Sequence, residues 1–554
     1  MALPTKVTNE DVRVLSAGQL VNVLWQLVNL ELASHGISQF DSQVPLSIYI
    51  KDGGIDGLAK WQNGPEHTAF IPNRVTGFQA KASDMSEADC ANEVKTTKNE
   101  LKPEVRKIVE ANGAYVLFLG RDCVELSKGP RRQAIKSAIE EASSVGGGSA
   151  LTVMQERILI FDASDIASWI NAYPAVVAQV GYFVGKRIGP AIGWEEMAQY
   201  PDMLIPYADY DKTRQGLAEV IRNVGNSPRS VLRVLGTSGL GKTRLVFEAF
   251  RPPVVGDPPN QTFGDSNYCY VAATATNIAD VVTEWRRSRC SGVLVIDDCP
   301  SELHEQLSRE ITRSDSRLSL VTIGNDLDAT AYAGTNTEVV RVEPISDEAI
   351  AQLLEAAFPG LTEPDRSFIA SELAQGYPLM AIRVGEARMA AAPLSARLNP
   401  QVLSKLLGRN VETGSIAEKV ISVCSLFEYV GVYDDLAIER EFVRATFCPE
   451  VSKEDFYSHL IAFEKSGAIS RYGRLMQVRP RPLAIRLAAD WWERCSPELA
   501  EAIVQSAFPE GLSNAFCERL RMLDFVPALK ETSERLCGHA GPFGQAKVLC
   551  SELG

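Results

Sequence analysis

The chain has 554 residues, 45% of them hydrophobic and 23% charged, with a formal net charge of −14. That composition is globular and points to several domains, and its acidic balance excludes a uniformly basic coat for nucleic acid. No apolar run approaches the ~20 residues of a membrane span, and the start, MALPTKVTNEDV, lacks the basic and apolar regions of a secretory signal. A cytoplasmic chain without a membrane segment is therefore expected. The 11 cysteines show no CxxC or Cys/His pairing, and the 5 histidines have no metal-ligand spacing. Reduced core thiols are expected, not disulfides or zinc.

Residues 1–181 read as one α/β unit. An amphipathic helix over about Ala17 to Ser34 precedes a strand-like PLSIYI. A glycine turn, DGGIDG, and the short strand GFQAKA follow. A long polar helical stretch from Ser86 to Ala111 is expected to kink or restart at Pro103, because a proline inside a helix removes a hydrogen bond and clashes with the preceding turn. The strand AYVLFLG, a helix over about Arg131 to Ala142, the strand RILIFD and a helix from about Ile166 complete the unit. Within it, Asp56 lies 79 − 56 = 23 residues before Gln79, and Lys81 follows Gln79 by two. Strand residues two apart point to the same face, so Gln79 and Lys81 project together. Asp56 and Gln79 would hold a divalent metal beside a phosphate, with Glu31 on the first helix completing its shell. Lys81 would position water or stabilise developing charge. Asp52 competes with Asp56, which is preferred because it opens a strand and precedes Gly57. Two basic clusters, Lys95, Lys98, Lys102, Arg106 and Lys107, and Lys128, Arg131 and Arg132, read equally as a nucleic-acid groove or as solvated helix faces.

Residues 182–225 read as a connector packed on the next domain. Residues 226–345 carry GTSGLGKT, from Gly236 to Thr243, after the apolar run Val231 to Leu235 and before the helix-forming RLVFEAF. Strand, glycine-rich turn and helix are the context of a P-loop, whose backbone N–H groups turn inward on phosphate oxygens. Gly236, Thr237, Ser238, Gly239, Leu240, Gly241, Lys242, Thr243 and Arg244 form the loop and its helix entry. Lys242 would reach the β- and γ-phosphates, and the Thr243 hydroxyl would ligate Mg²⁺. The run GVLVIDDCP lies 297 − 242 = 55 residues on. It reads as a buried parallel strand with Asp297 on Mg²⁺ through water and Asp298 orienting or deprotonating the attacking water. Asn325, closing the run LSLVTIGND, is either a γ-phosphate sensor or a plain turn residue.

Residues 346–414 read as helical, with amphipathic spacing in ISDEAIAQLLEAAF and the turn GYPLMAI. Residues 415–495 carry helices and then a hairpin around Gly473, the pattern of a winged helix. Arg471, Arg474, Arg479 and Arg481 there would read nucleic acid or pack on the neighbouring domain. Residues 496–554 read as helices.

The residues GGIDG and FQAKAS resemble the Mrr-like branch of the PD-(D/E)xK restriction nucleases, in which Gln replaces the usual acid before x-Lys. GTSGLGKT, VLVIDDC, VEPISDEAIAQLL and GYPLMAI resemble the STAND ATPases of the AAA-like P-loop class, which places Pro378 near adenine or ribose. The usual histidine of the Met-His-Asp motif has no clear counterpart, since His459 falls on a helical stretch. Nuclease followed by STAND ATPase is similar to the bacterial antiviral STAND (Avs) architecture. The resemblance implies a multidomain α/β chain with a nuclease-like domain, a P-loop ATPase, helical and winged-helix domains and an α-helical C-terminal region that begins a sensor. It implies ATP and Mg²⁺ as cofactors, a phage protein as trigger, assembly into a homo-oligomer such as a tetramer, and DNA as substrate. Two rivals stand beside it: an ATP-dependent restriction enzyme that translocates DNA, disfavoured by the lack of a second motor domain, and a nucleotide-switched DNA-binding scaffold or regulator without nuclease activity.

Overall fold

The computed structural model describes residues 6–37, 42–43, 55–145, 149–207, 212–237, 239–252, 267–272, 277–324, 332, 335–374, 376–389, 414–466, 468–472, 474–479, 481–504, 506, 508–521, 523 and 529. Three sheets organise them.

The N-terminal unit opens with α1 (Asn9–Arg13) and α2 (Ala17–Ser34), each entered through a capping box, Thr8 with Asp11 and Ser16 with Gln19. Its mixed sheet runs β1 (Ser42–Gln43), β2 (Gly57–Lys60), β3 (Val75–Lys81), β4 (Ala114–Leu119) and β5 (Ile158–Phe161) in spatial as in chain order. The pairs β1–β2 and β2–β3 are antiparallel, whereas β3–β4 and β4–β5 are parallel. β4 is buried along its whole length, which explains its unbroken apolar sequence. The segment PLSIYI and Asp52 lie outside the described residues.

The polar stretch expected to kink or restart at Pro103 is two helices, α3 (Glu87–Glu93) and α4 (Pro103–Glu110), the second starting at that proline. Between them Lys95 and Leu101 form a bridge around Asn99, whose φ is +60°. α3 gives way at Val94, which is still right-handed, and Pro103 starts the next helix at its N1 position. The following helix, α5 (Glu125–Ser143), begins six residues before the expected Arg131 and carries Pro130 inside it. The helix expected from Ile166 is also two: α6 (Ala163–Ile170), capped by Asp162, and α7 (Pro174–Phe183). The unit boundary expected at 181/182 falls inside α7.

Beyond it, α8 (Trp194–Ala198), α9 (Pro201–Leu204) and α10 (Lys212–Asn223) run over the next unit. There β6 (Val231–Leu235) leads into α11 (Lys242–Ala249). The strands β7 (Tyr268–Ala272), β8 (Ser291–Asp297), β9 (Arg317–Gly324) and β10 (Thr337–Arg341) complete an all-parallel sheet of order β10-β6-β9-β8-β7. β6 therefore has β10 on one side and β9 on the other. Chain order reverses there, and the carboxyl ends of such strands open a crevice for ligands.

The helical region that follows contains Asp347–Ala357, Glu363–Phe368 and Pro378–Met389. The segment expected as a winged helix holds helices Ile416–Ser425, Ala437–Phe447 and Lys453–Ser466. Its antiparallel sheet consists of β11 (Val430–Gly431), β12 (Ile469–Tyr472) and β13 (Leu475–Val478) in the order β11-β13-β12. Gly473, at the hairpin tip, lies outside the described residues. Among the described residues no helix is long and apolar enough to cross a membrane.

Candidate functional site

The loop after β6 turns on glycines. Gly236 has φ +154°, and a Cβ there would stand 2.6 Å from the Val342 carbonyl oxygen. Gly239 and Gly241 have φ +88° and +80°, a region costly for other residues. Gly241 caps α11, so Lys242 and Thr243 occupy its first turn, where free N–H groups and the helix dipole favour an anion. Lys242 is buried, and its ammonium donates to the Gly236 and Thr237 carbonyls at 2.8 Å each. Burial pulls its pKa down to about 8, against the opposing pull of Asp297 and Asp298. Ser238 and Asn325 lie outside the described residues.

The second strand brings acid to this loop. The Thr243 hydroxyl donates to Asp297 Oδ2 at 2.8 Å, and the Tyr270 hydroxyl stands 3.4 Å from the same oxygen. Burial, then the neighbouring Asp298 carboxylate, pushes Asp297 above the usual carboxylate range. Asp298 adopts φ +49° and turns its N–H onto Asp297 Oδ1 at 2.8 Å. A hydroxyl and a carboxylate in contact beside a helix N-terminus are the hard oxygen donors that Mg²⁺ takes with a phosphate, so these residues fit the ion.

Three further elements close on the loop. The Thr237 hydroxyl donates to Tyr377 Oη at 3.2 Å, and the Leu379 N–H reaches the Gly239 carbonyl at 3.3 Å. Pro378 is thus placed between two loop contacts, at the first position of its helix. Arg214, from α10, is buried and donates to the Leu240 carbonyl at 2.7 Å. Arg244 turns the other way: it pairs with Glu248 at 2.8 Å, donates to the Met203 carbonyl at 2.6 Å and lies over the Tyr207 ring. Its guanidinium is engaged with the connector.

Beneath the loop, Arg233 of β6 is buried and donates to Thr322 Oγ1 at 3.1 Å and the Cys299 carbonyl at 3.0 Å. Thr322 Oγ1 also lies 2.8 Å from His304 Nδ1. Burial and then Arg233 lower the His304 pKa to about 4, so the ring is neutral.

The N-terminal unit holds a second cluster. Asp56 precedes β2, and its N–H bonds the Phe78 carbonyl at 2.8 Å. Its Oδ2 accepts from Gln79 Nε2 at 2.6 Å and from the Ala80 N–H at 2.7 Å. Lys81 forms an ion pair with Glu93, at the end of α3, at 3.0 Å, and Lys102 reaches the same Glu93 oxygen at 3.3 Å. Asp56, Gln79 and Lys81 are therefore gathered on one edge of β3.

Glu31 is not brought to them. It is buried and accepts from the Tyr173 hydroxyl at 2.6 Å. The reason is the sheet's two faces. α2 packs with Phe78, Val116 and Phe118, whereas a Cβ on Gly77 would meet Ile108 and Ile55 of the opposite core. Gln79 and Lys81 share the face of Gly77. Among the described residues no three of His, Cys, Asp and Glu group as a metal site.

The basic clusters are largely neutralised. Lys95 pairs with Glu141, Lys107 with Glu104, Lys128 with Asp162 and Asp165, and Arg131 with Asp84. Arg106 donates to the Ser143 carbonyl at 2.6 Å. Farther along, Arg474 pairs with Asp435, and Arg471 lies over the Tyr433 ring.

No family model and no curated protein matches the chain. Solved structures do show similarity. A Walker-type ATPase of Pyrococcus abyssi is 13% identical, covers 51% of this chain and 96% of its own, and has a TM-score of 0.34. A STAND protein with a tetratricopeptide-repeat sensor from Pyrococcus horikoshii is 13% identical over 58% of this chain, with a TM-score of 0.23. The match spans 52% of that protein's length, about half. The ORC1 protein of Aeropyrum pernix, in complex with DNA, is 17% identical over 52% of this chain and 95% of its own, with a TM-score of 0.29.

Sequence reasoning missed Tyr377, Arg214, Arg233 and Glu93. An arginine inside the apolar strand VLRVL was a readable signal for Arg233, since charge is rarely fully buried without a task. Arg214, Tyr377 and Glu93 meet their partners only through tertiary packing.

Proposed function

We propose that the chain is a nucleotide switch that binds ATP with Mg²⁺ and controls its own N-terminal unit. The observation that carries the reading is the meeting of Lys242, Thr243 and Asp297 at the carboxyl edge of a parallel sheet. Lys242 would trade carbonyl partners for the β- and γ-phosphates, and the first turn of α11 would supply N–H groups. Mg²⁺ would neutralise phosphate charge, held by Thr243 and Asp297. Asp298 would orient the attacking water, and Pro378 would border the nucleoside. Ser238 and Asn325 retain their proposed phosphate roles.

The N-terminal unit is, in this reading, a metal-dependent endonuclease acting on DNA, with Asp56 and Gln79 toward the metal and Lys81 toward the scissile phosphate. The buried Gln79 Oε1 has no hydrogen-bond partner, as an atom that meets a cation would. The whole would act in antiphage defence. A phage protein would trigger it, and ATP would favour a homo-oligomer, such as a tetramer, that activates the nuclease. The proposed divisions are 1–181, 182–225, 226–345, 346–414, 415–495 and 496–554.

One observation favours a second reading. Lys81 is held by Glu93, and most of the basic residues nearby are paired, as suits a nucleotide-switched scaffold or DNA-binding regulator that cuts nothing. Plasmid cleavage in Mg²⁺ separates the two. The nuclease reading expects cutting that Lys81→Ala and Asp56→Ala both abolish while fluorescent-ATP binding persists, and ATP binding that Lys242→Ala abolishes. No Mg²⁺-dependent cutting by the wild type would favour the scaffold, and full cleavage by both N-terminal variants would take the activity away from the N-terminal unit.

A further inference from the structure

Glu93 is the unassigned acid of the N-terminal cluster. It is the last residue of α3, where a carboxylate meets the negative end of the helix dipole, a placement that is unfavourable unless cations answer it. Two do: Lys81 at 3.0 Å and Lys102 at 3.3 Å, both on Oε1. In this structure the charge of Lys81 is answered by Glu93.

On this face of the sheet two buried atoms have no hydrogen-bond partner, Gln79 Oε1 and the Tyr115 hydroxyl. Gln79 is 5% exposed and Tyr115 2%. An unsatisfied buried polar atom is costly, and folded proteins keep few of them. Both atoms belong to the cluster. Gln79 touches Asp56 through its other amide atom, and Tyr115, one strand over and opposite Gly77, lies in the field of both Glu93 and Asp56. A half-turn of the Gln79 amide exchanges Nε2 for Oε1 on the Asp56 side. Asp56 and that amide oxygen would give a divalent cation only one negative charge, and affinity of oxygen sites rises with ligand charge count.

We propose that Glu93 is the second carboxylate of a divalent-cation site formed with Asp56 and Gln79 Oε1, and that Lys81 and the cation compete for it. In the resting chain the ammonium occupies Glu93. When the cation takes Glu93, Lys81 is released toward a phosphate, with Lys102 left to balance the remaining charge. This rests on the reading of the N-terminal unit as metal-dependent, and it adds a resting state to it: the lysine stays masked until the metal arrives.

The test is Mn²⁺ titration of the full chain without nucleotide, by calorimetry and by the loss of free-ion paramagnetic signal. Asp56→Asn is expected to abolish a binding event. Glu93→Gln is expected to weaken that event by roughly tenfold or more, Glu93→Asp by less, and Lys81→Gln to strengthen it several-fold by removing the competitor. Thermal melting checks that each variant is folded. Should Glu93→Gln not fold, the strengthening in Lys81→Gln and the graded loss in Glu93→Asp carry the decision. Unchanged Mn²⁺ affinity in Glu93→Gln and Lys81→Gln, with loss in Asp56→Asn, overturns the competition and leaves the metal-dependent reading standing. No Mn²⁺ event sensitive to Asp56→Asn overturns both.

Discussion

Asp298 shows how single residues here serve geometry and chemistry together. Its φ of +49° is a conformation that Asp and Asn tolerate better than most residues, and it turns the Asp298 N–H onto the Asp297 carboxylate. Asp298→Asn therefore keeps the backbone and removes only the carboxylate. ATP affinity is expected to stay within about twofold, while hydrolysis falls roughly 100-fold, the lower range of a lost general base. Phosphate release and fluorescent-nucleotide titration read the two. Unchanged hydrolysis would move the role to Asp297 or to a group supplied by a partner. His304 makes a different prediction. Its pKa falls from 6.5 to about 4 on folding, so between those values the unfolded chain binds more protons. The stability that neutral His304 contributes is present above about pH 6.5 and is lost as pH falls toward 4. The melting temperature of the wild type should drop more steeply between pH 7 and pH 5 than that of His304→Gln. Parallel curves would assign the acid sensitivity to the carboxylates.

Whole elements explain what the sequence made legible. β4, β6, β8 and β9 are buried on both faces, so their apolar, β-branched runs stood out, and the glycine positions of the P-loop followed from backbone need alone. β10, an edge strand reading TEVVR, buries only Val340 and gave no such run. The restart at Pro103 was legible from the proline, whereas the end of α3 at Glu93 and the left-handed Asn99 beyond it left no signal in so polar a stretch. Glu31 was expected at the metal because its helix comes first in the chain, but which face of the sheet a helix covers is decided by packing. The Gly376 turn illustrates the same limit: GYP was readable as a turn, but not that Tyr377 and Leu379 would touch the P-loop. Gly376 has φ +82°, and a Cβ there would lie 2.6 Å from the Ile345 carbonyl oxygen. Gly376→Ala is expected to cost about 1–3 kcal/mol in strain. It should also weaken ATP binding, because the turn must move away from Ile345 and carry its loop contacts with it. A fall in melting temperature with unchanged ATP affinity would show that the turn supports the fold but not the loop.

At the scale of the molecule, α7 packs on both units and is the expected path between the two candidate sites. Val176, Val177 and Val180 belong to the N-terminal core, whereas Ala175 and Ala178 pack with Cys269, Val271 and Leu294 of the parallel sheet. Apart from Gln179, which donates to Glu195, the helix is apolar on the faces it turns to the two cores. Backbone bonds extend the seam: the Ser291 N–H reaches the Ala172 carbonyl at 2.9 Å, and Ile192 and Tyr270 exchange bonds at 2.8 and 3.0 Å. Trp194 then stacks on Phe247 of α11 at 4.6 Å, joining the seam to the helix that begins with Lys242. α7 thus contributes to the cores of both units, which are not joined by the connector alone. A single cooperative melt is expected for the wild type, with ATP raising its midpoint for probes in either unit. Ala178→Phe tests this. Alanine at a helix–sheet contact leaves no room for a phenyl ring, and overpacking of this kind costs about 1–3 kcal/mol. The ring would push α7 from β7 and β8 while leaving its valine face on the N-terminal core. The melt should split in two, and ATP should then stabilise only the P-loop unit. Hydrogen exchange in β3 and β4 measures that directly: ATP should slow it in the wild type and leave it unchanged in Ala178→Phe. If ATP protects β3 and β4 equally in both proteins, α7 is not the path, and coupling must run through another contact between the units.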